Sequence, residues 1–156
     1  MSYVFDNSPL SNLFKNFYPK TFPTLWKNFD QLVAQGGIVS TREALREIED
    51  GAPDDCIEWA KKNAALFATP TAAEGAFIGK IYGVSHFQQN IELQKLLKGG
   101  RNADPFVVAR AAVEGRKVVT MELLKPNAAK IPNICAHFGV PCLSLQQFFE
   151  AEGWQF

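Results

Sequence analysis

The stretch DPFVVARAAVEGRKVVT, residues 104–120, contains the two patterns that decide the fold. Its first part predicts a helix, with Asp104 as N-cap, Pro105 at the first helical position and Gly115 at its end. Apolar side chains occupy nearly the whole circumference of this helix, so we expect it to be buried. The segment KVVT that follows predicts a short strand. A buried helix that leads directly into a strand is typical of an α/β domain.

Short apolar segments recur along the chain, and each is followed by a helical pattern. Besides KVVT, strands are predicted in SYVFD at 2–6, GIVST at 37–41 and VPCLS at 140–144. Ser8 and Pro9 are predicted as the N-cap and the first position of the helix after the first strand. The other helices are predicted at 21–35, 42–50, 54–67, 71–82, 86–98, within 127–138 and at 145–153.

Alternating strands and helices predict a parallel sheet, because parallel strands need a crossover connection. We therefore expect one three-layer α/β/α domain over residues 1–156, with a central, mostly parallel sheet of four to five strands. Ligands in such sheets bind beyond the carboxyl ends of the strands. This rule directs attention to the side chains at that edge.

Composition restricts the function classes. The 156 residues carry 16 basic and 16 acidic side chains, so the overall charge does not favour nucleic acid or anionic lipid. Neither a signal peptide nor an apolar segment of membrane-spanning length is apparent, so we expect a cytoplasmic protein without a membrane partner. The 3 cysteines and 2 histidines show no zinc-binding spacing.

Several acids are predicted at the carboxyl edge of the sheet. Asp6 ends the first strand, Glu122 follows KVVT, and Asp104 begins the helix before KVVT. Glu43 and Glu47 lie one turn apart on the helix after the second strand. Two unit charges about 4 Å apart repel by roughly 4 kcal/mol at an effective dielectric constant near 20. Converging carboxylates therefore take up protons or bind a cation.

Oxygen ligands select a hard ion, here Mg²⁺ or Mn²⁺. Such a cluster suits the metal-assisted attack of water on a phosphodiester. Each acid also has a structural explanation: Asp104 as a helix cap, Asp6 as the start of a turn, and Glu43, Glu47 and Glu122 as solvated surface residues.

Two further surfaces are candidates for binding. Lys95, Lys98 and Arg101 lie close to Asp104 in sequence, where they would contact a phosphate backbone or form a solvated helix end. The first two helices are rich in aromatic residues, among them Phe17, Phe22 and Trp26. We expect these residues to form part of the core or a dimer surface. An exposed part of them would be a binding surface for a partner protein.

The acids fall in segments whose order resembles the PIN domain, a family of metal-dependent nucleases. The segments are YVFDNSPL at 3–10, IVSTREALREIED at 38–50, NADPFVVARA at 102–111 and KVVTMELL at 117–124. The similarity spans nearly the whole chain, although residues 68–98 match a compact PIN domain less closely. The chain looks most similar to a bacterial PIN-like subfamily related to VapC-type toxins.

The resemblance implies functional residues at matching positions. Asp6, Glu47 and Asp104 would be the core metal ligands, with Glu122 at the fourth acidic position. Glu47 matches better than Glu43, because the acid of the motif precedes an aliphatic residue. The supporting residues implied are Asn7, Ser8, Thr120 and Glu43.

The resemblance further implies a Mg²⁺- or Mn²⁺-dependent endoribonuclease that acts as the toxin of a toxin–antitoxin pair. It implies an RNA substrate, a homodimer and a small antitoxin protein whose tail covers the acidic groove. Two alternatives remain open: a non-catalytic PIN-like scaffold that binds RNA or protein, and an unrelated phosphohydrolase that acts on a small molecule.

Overall fold

A parallel sheet forms the centre of the molecule. The computed structural model describes residues 2–97 and 102–156, without the side chains of residues 93–97. Within these ranges the strands are β1 Tyr3–Phe5, β2 Ile38–Thr41, β3 Phe67–Ala68, β4 Lys117–Val119 and β5 Cys142–Leu143. Their order is β3-β2-β1-β4-β5, and all neighbouring strands are parallel. The prediction of an α/β domain with a mostly parallel sheet of four to five strands is confirmed.

Helices connect the strands and cover both faces of the sheet. In the described ranges they are α1 Asn7–Asn16, α2 Pro23–Ala34, α3 Arg42–Gly51, α4 Asp54–Lys62, α5 Ala72–Gly83, α6 Gln88–Leu97, α7 Asp104–Glu114, α8 Ile131–Phe138 and α9 Leu145–Glu152. None of these helices is long and apolar enough to cross a membrane.

The side chains of β1 alternate between two hydrophobic cores, as the period of a strand requires. Tyr3 and Phe5 enter a core formed with α1, α2, α4 and α9, whereas Val4 enters a core formed with α5, α7 and α8. Because both faces of the sheet are buried, the strands contain continuous apolar runs. The result is the expected α/β/α layering.

The prediction of one helix over residues 54–67 was wrong for the second half of this segment. Helix α4 ends at Lys62, a 3₁₀ turn spans Ala64–Leu66, and β3 follows at once. Backbone pairing aligns Phe67 with Ser40 and Ala68 with Thr41 of β2. Strand β3 therefore forms at the edge of the sheet because its backbone pairs with that of β2.

Two predicted caps were also wrong. The N-cap of α1 is Asp6 and not Ser8, because Asp6 Oδ1 accepts the Asn7 backbone N–H at 2.8 Å. Helix α7 has Ala103 as its N-cap, so Asp104 is its first residue. The predicted end of α7 is confirmed, since Gly115 adopts the left-handed conformation with φ of +67°.

The aromatic residues of α1 and α2 belong to the hydrophobic core. Trp26 is buried, and its Nε1 donates to the Phe17 carbonyl at 2.6 Å. The rings of Phe17 and Phe22 lie against each other and pack on the same core. Trp26 is therefore core, whereas Phe17 and Phe22 are half-buried against that core.

Candidate active site

The predicted acids follow the carboxyl ends of the three central strands. Asp6 directly follows β1, and Glu122 lies shortly after β4. Glu47 lies on α3, which begins where β2 ends, and Asp104 begins the helix that returns to β4. Asp6, Glu47 and Asp104 are all buried, and Glu122 is half-buried. Burial of three carboxylates at one sheet edge is costly unless other groups compensate the charges.

Asp6 accepts hydrogen bonds from the residues predicted to support it. The Oδ2 atom of Asp6 accepts from Thr120 Oγ1 at 3.1 Å and from Ser8 Oγ at 3.2 Å. Asn7 contributes only its backbone N–H to Oδ1. The register that places Phe5 opposite Val119 also brings Thr120 beside Asp6. Parallel pairing of β1 with β4 therefore fixes the position of this carboxylate.

Glu122 belongs to the same group and also has a structural role. Its backbone N–H donates to Thr120 Oγ1 at 3.2 Å, which links it through the threonine to Asp6. Its Oε2 accepts the backbone N–H of Ile131 at 2.9 Å, the first residue of α8. One carboxylate oxygen of Glu122 thus satisfies a helix N-terminus.

Glu47 and Asp104 form a second group. Glu47 Oε1 accepts the backbone N–H of Ala103 at 3.0 Å, so α3 is joined to the chain directly before Asp104. Glu47 is the acid of α3 that contacts this segment, whereas the Oε1 of Glu43 accepts from Arg42 at 3.0 and 2.6 Å. Glu47 and Glu43 lie one turn apart on α3, but they have different hydrogen-bond partners.

Two asparagines hold Asp104 in place, and the sequence analysis missed both. Asn90 of α6 is 1% exposed and donates from Nδ2 to Asp104 Oδ2 at 2.8 Å and to the Ala129 carbonyl at 3.0 Å. Asn102 donates to Asn90 Oδ1 at 2.6 Å and accepts the Asp104 backbone N–H at 3.2 Å. The Asn102 contact is a local Asx-type turn that the sequence allows one to predict. The Asn90 contact depends on the packing of α6.

Tyr82 lies beside the second group. Its hydroxyl accepts a hydrogen bond from Asn102 Nδ2 at 3.1 Å. Burial raises the pKa of Tyr82 to about 12, and the negative charge of Asp104 adds to this increase. The phenol is therefore neutral near pH 7, where it presents an apolar ring with a polar tip.

A cleft of about 450 Å³ opens over the first group. Asp6, Ser8 and Glu122 line it together with Lys125 and Lys130. A cleft that is lined by both carboxylate and ammonium groups suits a phosphate ester next to a cation. Of the basic residues expected from the sequence, Lys98 and Arg101 lie outside the described residues, as does the side chain of Lys95.

The donor chemistry of these acids fits a hard divalent cation, since all donors are carboxylate oxygens. Among residues 2–97 and 102–156, however, no three His, Cys, Asp or Glu side chains form a group that could hold a metal ion. Hydrogen bonds link Asp6 to Glu122 through Thr120, and Glu47 to the segment directly before Asp104. The fit thus concerns donor type and position at the sheet edge, and a closed cage is not formed.

Two cysteines pack behind the first group. Cys135 of α8 is buried and hydrogen-bonds to Cys142 of β5, which raises the pKa of Cys135 and lowers that of Cys142. The charges of Glu122 and Asp6 oppose the lowering at Cys142. Both thiols are free.

Fold and site together define a parallel α/β domain with buried carboxylates at the carboxyl edge of its central strands. The chain belongs to the family described as "Domain of unknown function (DUF4411)", which matches residues 3–156. A search of curated proteins found no match to it.

Among solved structures, the chain is similar to one in the crystal structure of VapBC2 from Rickettsia felis bound to a DNA fragment from their promoter. The identity is 14%, the TM-score is 0.47, and the match covers 92% of this chain and 98% of the other.

Proposed function

We propose that this protein is a Mg²⁺- or Mn²⁺-dependent endoribonuclease of the PIN type. One observation carries the proposal: Asp6, Glu47 and Asp104 are buried carboxylates at the one edge of a parallel sheet where ligands bind. Helix capping accounts for one oxygen of Asp6, but not for the burial of Glu47 and Asp104 at the same edge. The order of the surrounding sequence segments, which resembles the PIN domain, supports the same assignment.

Asp6, Glu47 and Asp104 would hold the cation, with Glu122 as a fourth, peripheral acid. A bound Mg²⁺ would supply an activated water and neutralise charge on the phosphodiester. Thr120 and Ser8 orient the carboxylate of Asp6, and Asn90 orients that of Asp104. Both carboxylates are thereby kept in fixed directions before substrate arrives.

Lys125 and Lys130 would bind the RNA backbone in the cleft that Asp6 and Glu122 also line. Phosphate contacts by lysine are electrostatic and independent of base sequence. This pair replaces the basic residues around 95–101 as the described candidates for contact with RNA.

We further propose that the nuclease is a toxin, restrained by a small antitoxin in a complex of toxin homodimers. The described surface offers a place for such a partner. Met121, Leu123 and Leu124 are exposed by 40%, 68% and 63%, and the first two line the cleft on either side of Glu122. Exposed apolar side chains that are close together in the chain indicate an interaction site. A tail bound to them would cover the acids.

A second candidate is a PIN-like scaffold that binds RNA without cutting it. The specific observation in its favour is that the described acids form no three-membered metal group, while Glu122 caps α8. The two candidates differ in one respect that can be measured directly, which is cleavage.

The test is cleavage of a mixed RNA by the purified protein with Mg²⁺, with Mn²⁺ and with excess chelator. Asp6→Asn and Asp104→Asn should each lower the cleavage rate by about a hundredfold or more, since each removes a charged oxygen ligand. Asp30→Asn, an exposed acid on α2, is the matched control and should leave cleavage unchanged. Thermal melts should show that Mg²⁺ stabilises the wild type more than the two site variants.

Wild-type cleavage by Asp104→Asn, or full activity in chelator, would refute the metal mechanism. RNA binding without cleavage under all metal conditions would establish the scaffold instead. The toxin role is separate: expression alone should slow bacterial growth, and co-expression with the neighbouring gene should relieve the arrest. Harmless expression of a protein that cuts RNA would end the toxin proposal and leave the nuclease.

A further inference from the structure

A cavity next to Glu122 gives small molecules access to the cysteine pair behind the acids. It lies between α8, β5 and α9, and its volume is about 350 Å³, which is within the range of cavities that bind small molecules. Cys142 of β5 is half-buried and lines this cavity, whereas Cys135 of α8 is fully buried. A molecule in the cavity therefore reaches the thiol of Cys142 first.

The two thiols contact each other through a hydrogen bond. Cys135 lies one turn into α8, and Cys142 lies on β5, an edge strand of two residues that pairs with β4 on one side of the described sheet. A short strand with one neighbour is easier to displace than a central strand. The small movement that converts this contact into a sulfur–sulfur bond of about 2.05 Å is therefore open to β5.

The two thiols also differ in chemistry. Their hydrogen bond lowers the pKa of Cys142 and raises that of Cys135, while burial and the charges of Glu122 and Asp6 oppose the lowering at Cys142. The thiolate is the nucleophilic form, so the accessible thiol of the pair is also the one better suited to react. Cys56 is the contrast, because it is buried in the other core and burial raises its pKa to about 12.

A zinc site is the other common use of neighbouring cysteines. Structural zinc takes four ligands, mostly Cys and His. Within the part of the chain that the structure describes, no third Cys or His side chain joins this pair in a group that could hold a metal ion. The pair is therefore better suited to thiol chemistry than to zinc.

We propose that Cys142 and Cys135 form a modification site for hydroperoxides, at which a reversible disulfide forms. The sulfur of Cys142 attacks one oxygen of the hydroperoxide and the O–O bond breaks. The other oxygen takes up a proton and leaves as water or an alcohol, and Cys142 becomes a sulfenic acid. The Cys135 thiol then attacks the sulfur of Cys142, and the hydroxyl group leaves with a proton as water. One hydroperoxide is reduced and the two thiols are oxidised to one disulfide.

The disulfide would join α8 to β5 close to the acid cleft. Cys135 lies one turn from Ile131, whose backbone N–H donates to Glu122. Neither step uses Asp6, Glu47 or Asp104, so the proposed site is independent of the proposed nuclease.

The experiment exposes the reduced full-length protein to hydrogen peroxide in excess chelator, which prevents metal-catalysed oxidation. After an acid quench the protein is unfolded, its remaining thiols are alkylated, and mass spectrometry measures the intact mass and the linked peptides. The product should have lost two hydrogen atoms, contain a link between Cys135 and Cys142, and be alkylated at Cys56 alone. Dithiothreitol should restore all three free thiols.

Three outcomes would overturn the proposal. The first is a protein that keeps all its thiols at a peroxide dose that fully oxidises a cysteine-containing peptide. The second is a link that includes Cys56, and the third is a link between two chains. This peptide map uses the wild type, so it does not depend on the folding of any variant.

Alanine variants assign the order of the two steps, because alanine replaces a small apolar side chain without a thiol. Cys135→Ala should stop at the sulfenic acid of Cys142, which dimedone traps. In Cys142→Ala, the buried Cys135 should be oxidised at least about tenfold more slowly than Cys142 is in the wild type. Cys56→Ala is the control and should form the disulfide at the wild-type rate. Oxidation of Cys135 at an unchanged rate in Cys142→Ala would refute the assignment of Cys142 as the thiol that reacts first.

Discussion

Asn90 offers the sharpest test of how Asp104 is held. The change Asn90→Ala removes the donor to Asp104 Oδ2 at 2.8 Å, the donor to the Ala129 carbonyl at 3.0 Å and the acceptor for Asn102 at 2.6 Å. Asp104 and Asn90 are almost fully buried, so solvent does not replace these contacts at once. The effect should therefore exceed that of a typical surface substitution.

The magnitude follows from the three lost hydrogen bonds. A buried polar group that loses its partner costs about 1–3 kcal/mol, and a charged one costs more. Partial access of water to the space left by the side chain reduces the sum, so we expect a loss of about 3–5 kcal/mol in the free energy of unfolding. For a chain of this size that corresponds to a lower melting temperature by about 6–20 °C.

Urea denaturation of wild type and variant measures this difference, with Gln89→Ala as the control. Gln89 is the exposed neighbour on the same helix, and its replacement should change stability by no more than about 0.5 kcal/mol. A loss below about 1 kcal/mol in Asn90→Ala would show that Asn90 does not hold Asp104 and would refute the reasoning.

Asn90→Asp separates charge from volume, because the two side chains have nearly the same shape. It places a second carboxylate where the amide now lies, 2.8 Å from Asp104 Oδ2. At an effective dielectric constant of about 20 this repulsion is about 6 kcal/mol, unless a proton is taken up. The isosteric variant should therefore be at least as unstable as Asn90→Ala at neutral pH. An Asn90→Asp protein that is as stable as the wild type at neutral pH, with no proton taken up, would show that Asp104 is not ionised at this position.

Three further predictions concern stability and reactivity. Gly79→Ala should raise the free energy of unfolding by about 0.5–1 kcal/mol, because Gly79 lies inside α5 and a Cβ there meets no other atom within 4 Å. Gly115→Ala should lower the free energy of unfolding by about 1 kcal/mol or more, because Gly115 has a φ of +67°. Urea denaturation measures both changes. Cys142 should react with a maleimide before Cys56, because the pKa of Cys142 is lowered and burial raises that of Cys56 to about 12; mass spectrometry of briefly labelled protein shows the order. Burial raises the pKa of Glu114, but the hydrogen bonds and charges of Arg110 and Arg116 outweigh burial and lower this pKa below 4.5. The ion pairs of Glu114 therefore stabilise the fold at neutral pH, and this contribution is lost as the pH falls through the pKa of Glu114 in the folded state. The difference in the free energy of unfolding between wild type and Glu114→Gln should shrink between pH 7 and pH 3.

The fold was predictable because its central strands and helices are locally consistent. Strand β4 and helix α7 follow each other in a stretch whose periodicity changes once, at Gly115. Strand β3 was not predictable, since its two residues follow directly on a helical pattern. Only their pairing with Ser40 and Thr41 makes them a strand, and that pairing is decided by tertiary structure.

The positions of the acids were predictable in the same way, but their surroundings were not. Asp6 and Glu122 follow strands, so the rule of the carboxyl edge is sufficient to place them. Asn90 lies in the region that matches a compact PIN domain least, and no local pattern shows that its helix face meets Asp104. Lys125 lies in a loop, where no periodicity indicates its direction. Contacts between distant segments are the part of the site that one sequence does not reveal.

The choice between helix cap and metal ligand is not a choice between exclusive roles. The Oδ1 atom of Asp6 accepts the first N–H of α1, while Oδ2 faces Thr120 and Ser8. One carboxylate therefore stabilises a helix and still carries a negative charge at the sheet edge. Glu122 combines the same functions at the start of α8. An amide at position 6 can still accept the capping hydrogen bond, because asparagine caps about as well as aspartate. It cannot supply the charge that a cation requires. For this reason a folded Asp6→Asn protein that keeps the cap of α1 but has lost cleavage would assign both roles to the same side chain.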